Sequence, residues 1–339
     1  MSARIAQSRL LNESSVEEGE LRLDSLGLHR GGRIEAASIA WRLAGAPDAP
    51  VVAALGGISA HRAVFDTREP RLGWWSAIVG PGLPLDTTRF RVLGIDWLGG
   101  SGGSTGPREG QRDFPALDSR DQARALLAVC DALGIASLHA IAGASYGGMV
   151  GLALAGLAPD RVRHVLAIGA AHRSDPLATG WRAVQREIVR HALSLGDGPG
   201  GLRIARALAM TTYRTRAEFK SRFATRSYAA DVAVFPVEEY LFARGDEYAR
   251  RHAPESFLCL SESIDWHRID PAEVQVPVTL VAIEEDQLVP IDDVRELAAR
   301  IGDRCKLYEV NSHYGHDAFL KEAELLAPAF AAALDGASP

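Results

Sequence analysis

The sequence predicts an α/β fold, a mostly parallel sheet interrupted by an inserted helical cap. Three observations carry this. Short apolar runs recur along the chain, segments of helical spacing alternate with them, and one long stretch holds helical patterns alone.

The early strand-like runs are residues 39–43, 51–55 and 91–95; the middle ones are 138–142 and 165–168; the last are 278–283 and 306–310. Each is short, apolar and bounded by polar or turn-forming residues, as in a buried strand. Between them, 118–133 places Ala123, Leu126, Leu127, Cys130 and Leu133 at helical spacing. Residues 291–301 open on acidic residues and line up Val294, Leu297, Ala298 and Ile301 on one face. From about 172 to 270 only helical patterns occur, so the sequence divides into core residues 20–171, a cap at 172–270 and core residues 271–335.

Composition sets the broad class. With 339 residues the chain can bury a large core, and 47% apolar with 24% charged residues is ordinary for a globular protein. A net charge of -6 and the lack of a basic stripe argue against a nucleic-acid partner. Cys130, Cys259 and Cys305 are few, odd in number and far apart, which suits a reduced compartment and small buried side chains. No metal framework is expected. Residues 1–20 lack the apolar core of a signal peptide and no run is long enough to span a bilayer, so the expectation is a cytoplasmic protein without membrane contact.

The chemistry centres on Gly143-Ala144-Ser145-Tyr146-Gly147, a G-x-S-x-G pentapeptide. A strand-like run precedes it and the small apolar segment 148–155 follows, like a helix packed on a sheet. Strand, glycine-flanked serine and helix form the setting of a nucleophile elbow, and hence of an α/β-hydrolase fold. The serine must adopt a strained backbone, and only small residues fit two positions before and after it.

A serine nucleophile needs a base, and the base needs an acid to hold its tautomer. In this fold both follow the serine in the chain, acid then histidine, each just after a strand. Asp286 is the expected acid, ahead of its neighbours Glu284 and Glu285, because D-x-L-x-P leads directly into a helix. His316 is the expected base, ahead of His313, with a glycine before it and an apolar helix start after it. The oxyanion should meet the backbone N–H of Tyr146 and a second donor, Leu55 or Gly56, from the glycine-rich turn after 51–55.

Further segments resemble the homoserine O-acyltransferase family of methionine biosynthesis. They include Gly73-Trp74-Trp75, Gly80-Pro81-Gly82-Leu83-Pro84-Leu85-Asp86, the stretch from Leu98 through Gly102-Gly103-Ser104-Thr105-Gly106-Pro107, and Gly315-His316-Asp317-Ala318-Phe319-Leu320. In the cap the likeness continues through Gly201-Leu202-Arg203-Ile204-Ala205-Arg206, Thr212-Tyr213-Arg214 and Val237-Glu238-Glu239-Tyr240-Leu241. It spans roughly residues 20 to 330 in the expected order.

The resemblance implies a ping-pong reaction in which Ser145 takes an acyl group from acyl-CoA and passes it to an amino-acid hydroxyl, with His316 as base in both steps. It implies that Arg206, helped by Tyr213, pairs with the acceptor carboxylate and that Asp317 holds its ammonium. Acyl-CoA is then a co-substrate, no bound cofactor is needed, and the family's usual state is a homodimer joined through the cap.

Three positions depart from the commoner family pattern. Tyr146 replaces Met or Leu, Asp96 stands where Asn is common, and Gly56-Gly57-Ile58-Ser59-Ala60-His61-Arg62 differs from A-L-T-G-S. All three lie close to the acyl site. Relatives that take succinyl-CoA resemble one another in an Arg two residues after the acid, and Leu288 here favours acetyl. Arg62 is the other cation that could meet a succinyl carboxylate, so the donor stays open between the two. A serine acceptor also stays open, since one methylene discriminates by only about 1–3 kcal/mol. A plain esterase is the alternative outside the transferases.

Overall fold

The computed structural model describes residues 4–8, 15–67, 73–223 and 235–336. Nine strands form one sheet: β1 (Arg4–Ser8), β2 (Ser15–Gly27), β3 (Arg33–Gly45), β4 (Val51–Leu55), β5 (Arg91–Ile95), β6 (Ala140–Ala144), β7 (Val165–Ile168), β8 (Val278–Ile283) and β9 (Cys305–Val310). Their spatial order is β1-β2-β3-β5-β4-β6-β7-β8-β9. The first four in that order pair antiparallel, and every pairing from β5 to β9 is parallel.

The sheet is the α/β sheet that the sequence predicts, with one extension. Residues 39–43 are the middle of a longer strand, Arg33–Gly45, and β2 pairs along nearly all of it. In β2 the buried Leu21 and Leu23 alternate with exposed charged positions, a one-sided pattern that the glutamates of 17–20 mask. The expected strand 138–142 lies at 140–144 because Ala144 pairs with Ile168 and carries the strand to the residue before Ser145.

Helices α1 (Ser119–Ala132) and α2 (Tyr146–Leu157) follow β5 and β6, while α8 (Ile291–Ile301) and α10 (Ala323–Asp335) follow β8 and β9. Between β7 and β8 come α3 (Pro176–Ser194), α4 (Gly198–Tyr213), α5 (Arg216–Arg222), α6 (Pro236–Ala249) and α7 (Pro254–Asp265), and short α9 (Ala318–Lys321) precedes α10. Alternate residues of each strand face opposite sides, so Ala53, Leu55 and Ile141 join one core cluster and Val52, Ala54 and Ala140 the other. Helix α2 is apolar all round and almost wholly buried, which fixes the residue before it against the sheet. Among the described residues no helix is long and apolar enough to cross a membrane.

Candidate active site

Four loops leave the carboxyl ends of parallel strands on one side of the sheet, where open α/β sheets place their ligands. They follow β4, β6, β8 and β9 and carry Gly56, Ser145, Asp286 and His316, while Arg206 and Tyr213 come from α4 between β7 and β8.

Ser145 sits between β6 and α2 with φ 54° and ψ -121°, a backbone that L residues avoid. Its N–H donates to Ile168 O at 2.8 Å. The turn is too tight for side chains on either side. A Cβ on Gly143 would stand 2.4 Å from the Gly147 carbonyl oxygen, and one on Gly147 would stand 2.3 Å from that of Leu55.

His316 Nε2 lies 2.9 Å from Ser145 Oγ, and His316 Nδ1 lies 2.6 Å from Asp286 Oδ2. The other carboxylate oxygen of Asp286 accepts from the N–H groups of Leu288 at 2.8 Å and Val289 at 3.1 Å. These bonds orient the carboxylate and leave Oδ2 to the histidine. Burial works against a charged imidazole, yet the charge and hydrogen bond of Asp286, with Asp317 behind them, hold the His316 pKa above its ordinary value. Glu284 and Glu285 turn away to Asn311 and the Ser312 backbone, and His313 faces Ser221.

The relay opens on a cavity of about 210 Å³. Arg206, Tyr213, Asp317 and Leu288 all reach its wall, as do Trp74 and Gly57. Arg206 is half-buried, its guanidinium 5.0 Å from the centre of the Tyr213 ring and 4.7 Å from that of Tyr248. It donates to Tyr213 Oη at 3.3 Å, and among the described residues no carboxylate forms an ion pair with it. Burial opposes its charge, but the two tyrosines and Asp317 more than offset this and raise its pKa.

Other expected residues sit differently. Leu55 and Gly56 are buried and do not line the cavity, whereas Gly57, Ile58, Ser59 and Ala60 of the same turn do. Tyr146 N–H opens α2, where no intrahelical acceptor exists. Arg62 pairs with Asp96 and lines a neighbouring cavity of about 920 Å³, not the one that holds Ser145. The two cavities share walls at Ile58, Ser59, Ala60, Trp74 and Arg206. Asp317 is already paired, with Arg214 Nε 2.7 Å from its Oδ2.

Three residues without a prior role matter here. Arg214 stands between Asp317 and Glu218. Arg182, on α3, lines the catalytic cavity and donates to Asp265 Oδ1 at 2.7 Å, while Arg186 takes Oδ2 of the same carboxylate. Trp97 donates its indole N–H to Gly57 O at 2.9 Å. A charged or aromatic residue in a helix or after a strand gives no sign in sequence that it will reach such a site. Trp75, by contrast, belongs to the quoted G-W-W and bonds Phe319 O at 2.7 Å, tying that motif to the histidine loop.

A profile described as the alpha/beta hydrolase fold matches residues 55–323. A homoserine O-succinyltransferase of Xanthomonas campestris pv. campestris is 42% identical over 90% of this chain and 80% of its own. A serine O-succinyltransferase of Litchfieldella anticariensis is 34% identical, over 89% of this chain and 93% of its own. Among solved structures, a homoserine O-acetyltransferase from Bacillus anthracis superposes with a TM-score of 0.85 at 18% identity, over 94% of this chain and 98% of that one.

Proposed function

The chain belongs to the homoserine O-acyltransferase family, within the α/β-hydrolase fold, and on that premise we propose that it moves an acyl group from acyl-CoA to the hydroxyl of L-homoserine. Such a transfer activates homoserine for methionine biosynthesis. The observation that carries the reading is the unbroken relay Ser145–His316–Asp286 opening on the same cavity as Arg206, a cation with no carboxylate of its own among the described residues.

His316 Nε2 takes the Ser145 proton as Oγ attacks the thioester carbonyl. The developing oxyanion meets Tyr146 N–H and a donor of the Gly57 turn. Collapse expels CoA, whose thiolate takes the proton from His316. The adjoining cavity holds the CoA arm. In the second half, His316 takes the proton of the acceptor hydroxyl as it attacks the acyl-serine, then returns it to the departing Ser145 Oγ, which regenerates the free enzyme. Arg206 and Tyr213 bind the acceptor carboxylate, for which a planar guanidinium is suited. Asp317, shared with Arg214, faces its ammonium.

Two observations pull apart on the acyl group. Leu288 offers an apolar wall, which favours acetyl, and Arg62 is held away by Asp96. Yet Asp265 serves two guanidinium groups, so Arg182 brings positive charge to the cavity that a succinyl carboxylate would neutralise. With the likeness to a homoserine O-succinyltransferase over nine-tenths of the chain, this favours succinyl-CoA as donor. Leu177 and Val184 lie seven residues apart on one exposed face of α3, which supports a homodimer through these helices. Light scattering reads that state directly.

The deciding experiment measures CoA release from acetyl- and succinyl-CoA with homoserine, with serine and with no acceptor. Succinyl-CoA with homoserine should turn over fastest, and Ser145→Ala should neither release CoA nor carry an acyl adduct in mass spectrometry. Equal release with and without an amino acid would make the protein a thioesterase.

A further inference from the structure

The three departures from the commoner family pattern form one bonded unit around the turn 56–62. At its near end Gly147 N–H donates to Gly56 O at 2.9 Å, and Trp97 Nε1–H donates to Gly57 O at 2.9 Å. At its far end Arg62 N–H donates to Asp96 Oδ1 at 2.7 Å, and Trp74 Nε1–H donates to His61 O at 2.9 Å. Asp96 is itself held, accepting from Gly103 N–H at 2.7 Å, and is nearly fully buried.

The ring of Tyr146 packs edge-on against Trp97, with centroids 5.2 Å apart and planes at 70°. Both side chains are buried, and the Tyr146 hydroxyl bonds Ser263 on α7. The residue after the nucleophile thus reaches across to the tryptophan that holds the opposite turn.

A trans peptide points its C=O and N–H in opposite directions. Holding the carbonyls of Gly56 and Gly57 therefore fixes where Gly57 N–H and Ile58 N–H point, and both residues line the cavity with Ser145. Trp97 lines the neighbouring cavity and not the one that holds Ser145, so it reaches the reacting carbonyl only through Gly57.

We propose that Trp97 is a positioning residue of the oxyanion site: through Gly57 O it aims Ile58 N–H, while Tyr146 supplies the other donor from its backbone and braces Trp97 with its ring. The proposal rests on the acyl-serine reading above. Losing an oxyanion donor outright costs about 10²–10³ in rate, and misaiming one should cost part of that.

The test is Trp97→Phe, which keeps an aromatic ring beside Tyr146 and removes the indole N–H, together with Tyr146→Leu, which keeps the backbone donor and removes the ring. For each, kcat for CoA release should fall about 10- to 100-fold with KM for the acyl-CoA within twofold. Affinity for a trifluoromethyl ketone analogue of the acyl-CoA, whose adduct with Ser145 bears an oxyanion, should fall in the same ratio. The double variant should lose little more than either alone. A rise in KM with unchanged kcat, or unchanged ketone affinity in folded Trp97→Phe and Tyr146→Leu proteins, would overturn the proposal. A wild-type protein that binds the ketone but passes no acyl group to an amino acid would instead fault the transferase reading.

Discussion

Arg214 Nε stands 2.7 Å from Asp317 Oδ2, one residue along from the histidine that bonds Ser145. The same guanidinium donates to Glu218 Oε1 at 2.8 Å, and all three side chains are about nine-tenths buried. Asp317 on the cavity wall and Glu218 behind it thus share one cation, with Arg222 3.7 Å from Glu218 as a second.

Arg214→Ala strands Asp317 and leaves Glu218 only the longer pair with Arg222, both in a poorly solvated place. Breaking a buried pair from one side costs roughly 3–5 kcal/mol, and the remaining exposure here puts the loss near the lower end, about 3 kcal/mol. Urea unfolding should show the midpoint falling with the slope unchanged. A variant as stable as the parent would mean that water already satisfies these groups.

The pH dependence follows from His316. It must be neutral to accept the serine proton, and its pKa is raised, so acyl-enzyme formation should rise with pH through a point above the ordinary histidine value of about 6.5. Asp286→Asn removes the charge responsible. Its acid limb should move to lower pH while the plateau drops by about 10³–10⁴, because the tautomer is no longer held. Stopped-flow CoA release across pH reads both effects.

Arg206→Ala separates the two halves of the reaction. A charge-assisted carboxylate bond is worth about 1.5–3 kcal/mol, so KM for the acceptor should rise roughly 10- to 100-fold. The burst of CoA released without acceptor should persist. Unchanged acceptor kinetics would remove Arg206 from the binding role.

Arg182→Met addresses the acyl group. Asp265 keeps Arg186, so the fold retains an ion pair there. kcat/KM for succinyl-CoA should fall at least about tenfold and that for acetyl-CoA should hold within a small factor. Parallel losses with both donors would show that Arg182 serves the structure and not the donor choice.

Much of this was legible in the residues. The strands 51–55, 91–95, 165–168 and 278–283 are apolar runs with the bounds read from sequence, because a strand buried on both faces needs no polar alternation. The serine, aspartate and histidine follow from chain order and from the loops that strand ends create. β2 was hidden by its glutamates. Which peptide of the turn after β4 borders the cavity is not legible, since it depends on hydrogen bonds made from 97 and 147, far along the chain. Arg62, Arg182 and Arg214 show the same limit. An arginine's reach is long enough that only the packed structure says which carboxylate it meets.

The backbone of Ser145, at φ 54°, suits glycine better than serine. Holding an L residue there costs of order 1–3 kcal/mol, which the surrounding sheet and helix must outweigh. Ser145→Gly should therefore yield a dead protein with a higher melting temperature than the active one. Reactivity and durability are set against each other at this single position, so selection for heat resistance alone would drift away from the catalyst.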